Sequence, residues 1–90
     1  MNKFNLTGRT AIITGGAQGF GLAMTQRFLE SGANVIIWDF DKLAVEKTIK
    51  KLNNPKLSST IIDVTNFDRV LTEVEKETKN KKIDIFINNA

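Results

Sequence analysis

Two kinds of apolar pattern alternate along the chain. Short continuous runs, Ala11-Ile12-Ile13, Val35-Ile36-Ile37-Trp38, Thr60-Ile61-Ile62 and Ile83 to Ile87, are rich in β-branched residues and lack strict polar alternation. Such runs predict parallel strands covered on both faces. Between them, apolar residues recur at helical spacing. Phe20, Ala23, Met24 and Phe28 mark one face of a first helix, widened by Leu22 and Leu29, with Gly32 as its C-terminal cap. A second helix is expected from an Asp41 N-cap, with Val45, Ile49 and Leu52 on one face and Asn53-Asn54-Pro55 ending it. A third is expected from a Thr65 N-cap, with Asp68 at its third position. Phe67, Val70, Leu71 and Val74 form its apolar side, and Asn80 closes it.

The predicted order is β-α-β-α-β-α-β. Strands alternating with helices pair in parallel through right-handed crossovers, which predicts an α/β fold with helices on both faces of the sheet. No linker, repeat or low-complexity segment interrupts the pattern, so one domain is expected over residues 1–90, ending after the fourth strand. Four parallel strands leave Ile83 to Ile87 as an apolar edge, and the isolated chain is expected to be marginally stable and to self-associate.

The stretch Thr14-Gly15-Gly16-Ala17-Gln18-Gly19-Phe20-Gly21 leaves the first strand and enters the first helix. A diphosphate needs a sharp backbone bend there, close approach without Cβ atoms in the way, and free N–H groups. Gly15 suits the bend, Gly19 the approach and Gly21 the packing of helix on strand. The first helical turn adds unpaired N–H donors and a positive dipole end. A tight βα turn without any ligand also uses glycines, but the strand before and helix after favour nucleotide binding. No Gly-Lys-Ser/Thr follows, which argues against a P-loop nucleotidase.

Asp39 stands directly after the second strand, roughly two dozen positions beyond Gly15 and near the offset of a ribose-binding acid. A turn or capping aspartate is the alternative at that position. Asp63-Val64 and Asn88-Asn89-Ala90 follow the third and fourth strands, at the strand ends where doubly wound sheets bind ligands.

At these residues the chain resembles the short-chain dehydrogenases/reductases. Thr14 to Gly21 matches their T-G-x-x-x-G-x-G pattern at every fixed position, Asn88-Asn89-Ala90 matches the start of their Asn-Asn-Ala-Gly motif, and Asp63 matches their adenine-contacting aspartate, with Val64 beside it. The resemblance covers essentially the whole chain. It implies a Rossmann fold with strand order 3-2-1-4, a nicotinamide dinucleotide, and hydride transfer to or from an alcohol or carbonyl substrate. The T-G-G-A-x-G form and short lead are similar to those of 3-oxoacyl-carrier-protein reductases. The cofactor-binding residues implied are Thr14, Gly15, Gln18, Gly19, Phe20, Gly21, Asp39, Phe40, Asp63, Val64, Asn88, Asn89 and Ala90. Relatives that prefer NADP place a basic residue near the glycines or just after the acid. Gln18 and Phe40 stand there instead, so NAD is expected over NADP.

The family's Tyr-x-x-x-Lys pair, with its accompanying Ser and Asn, has no counterpart here, and the chain has no tyrosine at all. No catalytic residue is therefore assigned, and the 90 residues alone are expected to be inactive. The expected role is the cofactor-binding portion of an oxidoreductase whose whole protein is a homo-oligomer. A free-standing module that binds or senses NAD without turnover is the alternative, and an interaction domain with a vestigial glycine turn is a third.

Composition narrows the chemistry further. With no cysteine and no histidine, disulfides, thiolate metal sites and the usual general base are absent, and no metal is expected. The net charge is +3, but the lysines lie among acids, as in Glu73, Glu75, Lys76, Glu77 and Lys79, or near predicted helix ends. That distribution suits a solvated surface better than a nucleic-acid face, so no nucleic-acid partner is expected. Met1 to Thr10 lacks the apolar stretch of a signal peptide, and no run is long enough to span a membrane. A cytoplasmic location without membrane contact is the expectation.

Overall fold

The computed structural model describes residues 5–80 and 82–89. Its elements alternate as β1 (Thr10–Thr14), α1 (Gly19–Glu30), β2 (Asn34–Asp39), α2 (Lys42–Leu52), β3 (Leu57–Ile61), α3 (Phe67–Asn80) and β4 (Ile85–Ile87). All neighbouring strands pair in parallel, in the order β3-β2-β1-β4. The chain thus has the Rossmann-type sheet, with its strands' C-terminal ends on one edge.

Because successive strand residues face opposite ways, the two sheet faces build two cores. Ile13, Val35 and Ile37 meet Met24 and Phe28 of α1, together with Val45 and Ile49 of α2. Ile12, Ile36 and Trp38 meet Val70 and Val74 of α3, with Ile62 buried among them. Continuous apolar runs in β1 and β2 are thus explained by burial on both sides.

Gly32 ends α1 as expected. Its φ is +92°, its N–H donates to Leu29 O at 3.0 Å, and Ala33 N–H donates to Phe28 O at 3.1 Å, a Schellman termination. Asp41 caps α2 by accepting Ala44 N–H at 3.0 Å, and Asn53 closes that helix in the left-handed region.

Other expectations are corrected. β3 covers Leu57–Ile61 rather than Thr60–Ile62. As an edge strand it carries the exposed Ser58 and Ser59, so it does not read as a continuous apolar run. β4 begins at Ile85, not Ile83. The cap of α3 is Asn66, whose Oδ1 accepts Arg69 N–H at 3.1 Å, while Thr65 is held by Asp63. Asp68 is accordingly the second helical residue. The inner line of α1 runs through Gly21, Met24, Thr25 and Phe28; Phe20 and Ala23 stand outside it. Close seating of Gly21 turns the helix one position from the line that apolar spacing suggested. On α3, Phe67 and Leu71 face outward. Glu73 is buried instead, paired with Arg69 at 3.3 Å.

Candidate functional site

At the C-terminal edge of the sheet lies a cleft of about 480 Å³, lined by Gly15, Gln18, Gly19, Asp39, Phe40, Val64 and Asn89, with Trp38 and Ile62. That volume suits a small-molecule site. β1 delivers the glycine turn, β2 delivers Asp39, and the segment after β3 delivers Val64. Asn89, after β4, closes the side opposite.

The turn has its shape for steric reasons. Gly19 opens α1 at φ +52°, and a Cβ built there would meet open space, so the backbone itself borders the cleft. Gly21 is demanded by packing: a Cβ there would run into the Gly15 carbonyl oxygen and come within 2.6 Å of Asn89 Nδ2. Gly15 N–H donates to Trp38 O at 2.7 Å, which fastens the turn to β2.

Thr14 is buried at the end of β1, beneath the cleft rather than in its lining. Its Oγ1 donates to Asn88 Oδ1 at 3.2 Å and accepts Asn89 N–H at 2.8 Å. Asn89 Nδ2 reaches Gly15 O at 3.5 Å. These bonds join the glycine turn to a segment over seventy residues later in the chain.

Asp39 is 6% exposed at the end of β2, and its Oδ1 accepts Asp41 N–H at 3.1 Å. Asp41 also accepts from Gln18 Nε2 at 3.2 Å, linking α2 to the glycine turn. Asp63 is exposed and outside the lining. Its Oδ1 takes the Thr65 hydroxyl at 2.6 Å and the Thr65 N–H at 2.9 Å. The hydroxyl, then the N–H, hold its carboxyl below the usual range.

Phe40, 75% exposed, borders the cleft, whereas Phe20, 73% exposed, and Gly21 and Asn88 are not in its lining. Ala90 lies outside the described residues. Trp38 and Ile62 were missed as lining residues because their apolar character marks them as core. Their positions beside Asp39 and Asp63, at strand ends, were the available signal. Among the described residues, no group of three His, Cys, Asp or Glu is placed to hold a metal, and no helix is long and apolar enough to cross a membrane.

A family model described as short chain dehydrogenase matches residues 9–90. A probable NADP-dependent mannitol dehydrogenase of Yarrowia lipolytica is 38% identical over 93 residues, covering 100% of this chain and 34% of that protein. The crystal structure of a short chain dehydrogenase from Bacillus anthracis superposes with a TM-score of 0.85 at 33% identity, covering 94% of this chain and 35% of that one. A 3-ketoacyl-(acyl-carrier-protein) reductase from Brucella melitensis, complexed with NADH, gives a TM-score of 0.79 at 33% identity, covering 90% and 34%. The chain spans about a third of the length of the curated relatives it matches.

Proposed function

The chain belongs to the short chain dehydrogenase family, and from that premise we propose that its cleft binds a nicotinamide dinucleotide, NAD(H) in preference to NADP(H). It would serve as the cofactor-binding part of an oxidoreductase acting on an alcohol or carbonyl compound. The observation that carries the proposal is the convergence of Gly15, Gln18 and Gly19 with Asp39, Phe40, Val64 and Asn89 on one cleft at the strand ends.

The residues fit the group. Gly19 offers bare backbone, and the first turn of α1 offers N–H groups without partners inside the helix to the diphosphate. Gln18 stands beside them. Asp39 would accept hydrogen bonds from the adenosine ribose hydroxyls through lone pairs that Asp41 N–H leaves free. Phe40, Ile62 and Val64 would supply apolar surface for the adenine ring, and Asp63, outside the lining but between Ile62 and Val64 in the chain, would offer an acceptor to its amino group. Thr14 holds Asn88 and Asn89 against the turn, and Asn89 would form the wall toward the nicotinamide end. When bound, the nicotinamide ring would exchange a hydride with the substrate carbon. The chain's part is to bind and orient that ring.

Titration with NADH and NADPH, followed by calorimetry and by fluorescence of Trp38, tests the proposal. Saturable NADH binding that is weakened by Gly19→Asp is expected. Absence of binding by either dinucleotide to the folded chain would overturn it.

A further inference from the structure

We infer that Thr25 and Thr48 are positioning residues that set the glycine turn from beneath, an inference that rests on the dinucleotide-binding reading above. Both are buried in helices, at 0% and 4% exposure. A helical threonine ordinarily returns its hydroxyl to a carbonyl one turn back in its own helix. Thr72 and Thr78 of α3 do so, to Asp68 O at 3.0 Å and Val74 O at 2.8 Å. Thr25 of α1 and Thr48 of α2 do not. Thr25 donates to Gly16 O at 3.1 Å, and Thr48 donates to Ala17 O at 3.0 Å.

Two helices thus hold two consecutive carbonyls of one turn. Because a trans peptide is planar, with N–H and C=O on opposite sides, fixing these carbonyls inward also fixes the N–H groups of Ala17 and Gln18 outward. The clamped carbonyls lie between two further bonds that close the same turn, Gly15 N–H to Trp38 O at 2.7 Å and Leu22 N–H to Gln18 O at 3.1 Å, so both loosen when the middle of the turn does. The middle of the turn has glycine and alanine side chains, which supply no polar anchor of their own. The two hydroxyls supply it, so the turn keeps one shape before a ligand arrives.

Thr25→Val and Thr48→Val keep the volume and remove the donor; Thr→Ser at each position keeps the donor. The clamp predicts that each valine variant binds NADH about tenfold more weakly, because the turn is correctly shaped for a smaller fraction of the time. It predicts that each serine variant binds nearly as wild type. In the ligand-free chain, the Gly15 and Leu22 amides should exchange hydrogen faster in the valine variants. Each hydroxyl holds its own carbonyl, so Thr48→Val carries the test if Thr25→Val does not fold.

Folded valine variants that bind NADH as tightly as wild type, or serine variants that lose as much as valine, overturn the inference. If the wild-type chain binds no NADH, the proposed function fails. Exchange in the ligand-free chain then judges the clamp, and unchanged rates at Gly15 and Leu22 overturn it.

Discussion

The Asp39 carboxylate accepts the backbone N–H of Asp41 through Oδ1 at 3.1 Å, and Asp41 in turn accepts the Gln18 side-chain amide at 3.2 Å. The acid at the end of β2 is thereby held beside the glycine turn, with two carboxylates and no basic side chain in that chain of bonds. A 2′-phosphate near Asp39 would meet a like charge. At about 4 Å and an effective dielectric of about 20, two unit charges repel by roughly 4 kcal/mol before relaxation and screening. With that discount, NADH should bind at least about tenfold more tightly than NADPH, a difference of about 1.4 kcal/mol. Asp39→Ser should erase most of the gap. Equal affinity for both dinucleotides in the wild-type chain would refute the preference.

Gly19 and Gly21 stand two positions apart and respond to different forces. Alanine at Gly19 meets open space but must hold a left-handed φ, a cost of about 1 kcal/mol. Alanine at Gly21 collides with the Gly15 backbone, which cannot swing aside like a flexible side chain. Its cost should reach or exceed the upper end of overpacking, about 3 kcal/mol. Urea unfolding of the two variants compares them directly, and equal midpoints would contradict the packing account.

Asp84 should contribute to the loss of stability in acid. The Thr10 N–H, donated at 3.0 Å, holds its carboxyl below the usual range, and the positive charges of Lys82 and Arg9 assist, each at 3.6 Å. A carboxyl with a depressed folded pKa stabilises fully above its unfolded value of about 3.9. That contribution is lost as pH falls through the folded value. Asp84→Asn should therefore be destabilised near neutrality and show a shallower loss of stability below about pH 4 than wild type. Unfolding curves collected across that range decide it. Parallel slopes for the two proteins would assign the acid loss to other carboxyls.

β4 is one edge of the described sheet, and Phe86 on it is 47% exposed despite an edge-on contact with Trp38 at 5.6 Å between ring centroids. Phe67 and Leu71 of α3 add further exposed apolar surface. The 90-residue chain should associate as its concentration rises, and Phe86→Lys should reduce that association. A sharp monomer by sedimentation at high concentration would count against this.

Much of the architecture is legible in the chain itself. β1 and β2 are apolar on both faces because both are covered, so their runs mark central parallel strands. Asp41 and Gly32 announce helix ends through chemistry that acts within a few residues. The glycine turn and Asp39 are equally local, since bend, bare backbone and carboxylate are properties of the residues themselves. β3 departs from the apolar run because an edge strand has one less neighbour, which lets Ser58 and Ser59 stand in it.

The order of elements, the strand ends that carry polar residues, and the turn through which a phosphate can be approached all come from local chemistry. These follow from backbone freedom and short-range periodicity. Tertiary structure alone decided which side of α1 meets the sheet, because Gly21 seats against Gly15 and turns Phe20 outward. It also decided that Thr25 and Thr48 leave their own helices to bond the turn, and that Asn66 rather than Thr65 caps α3. Spacing places a residue on a helix, but its side chain's partner is chosen by whichever carbonyl, carboxylate or sheet face packing brings within hydrogen-bond reach.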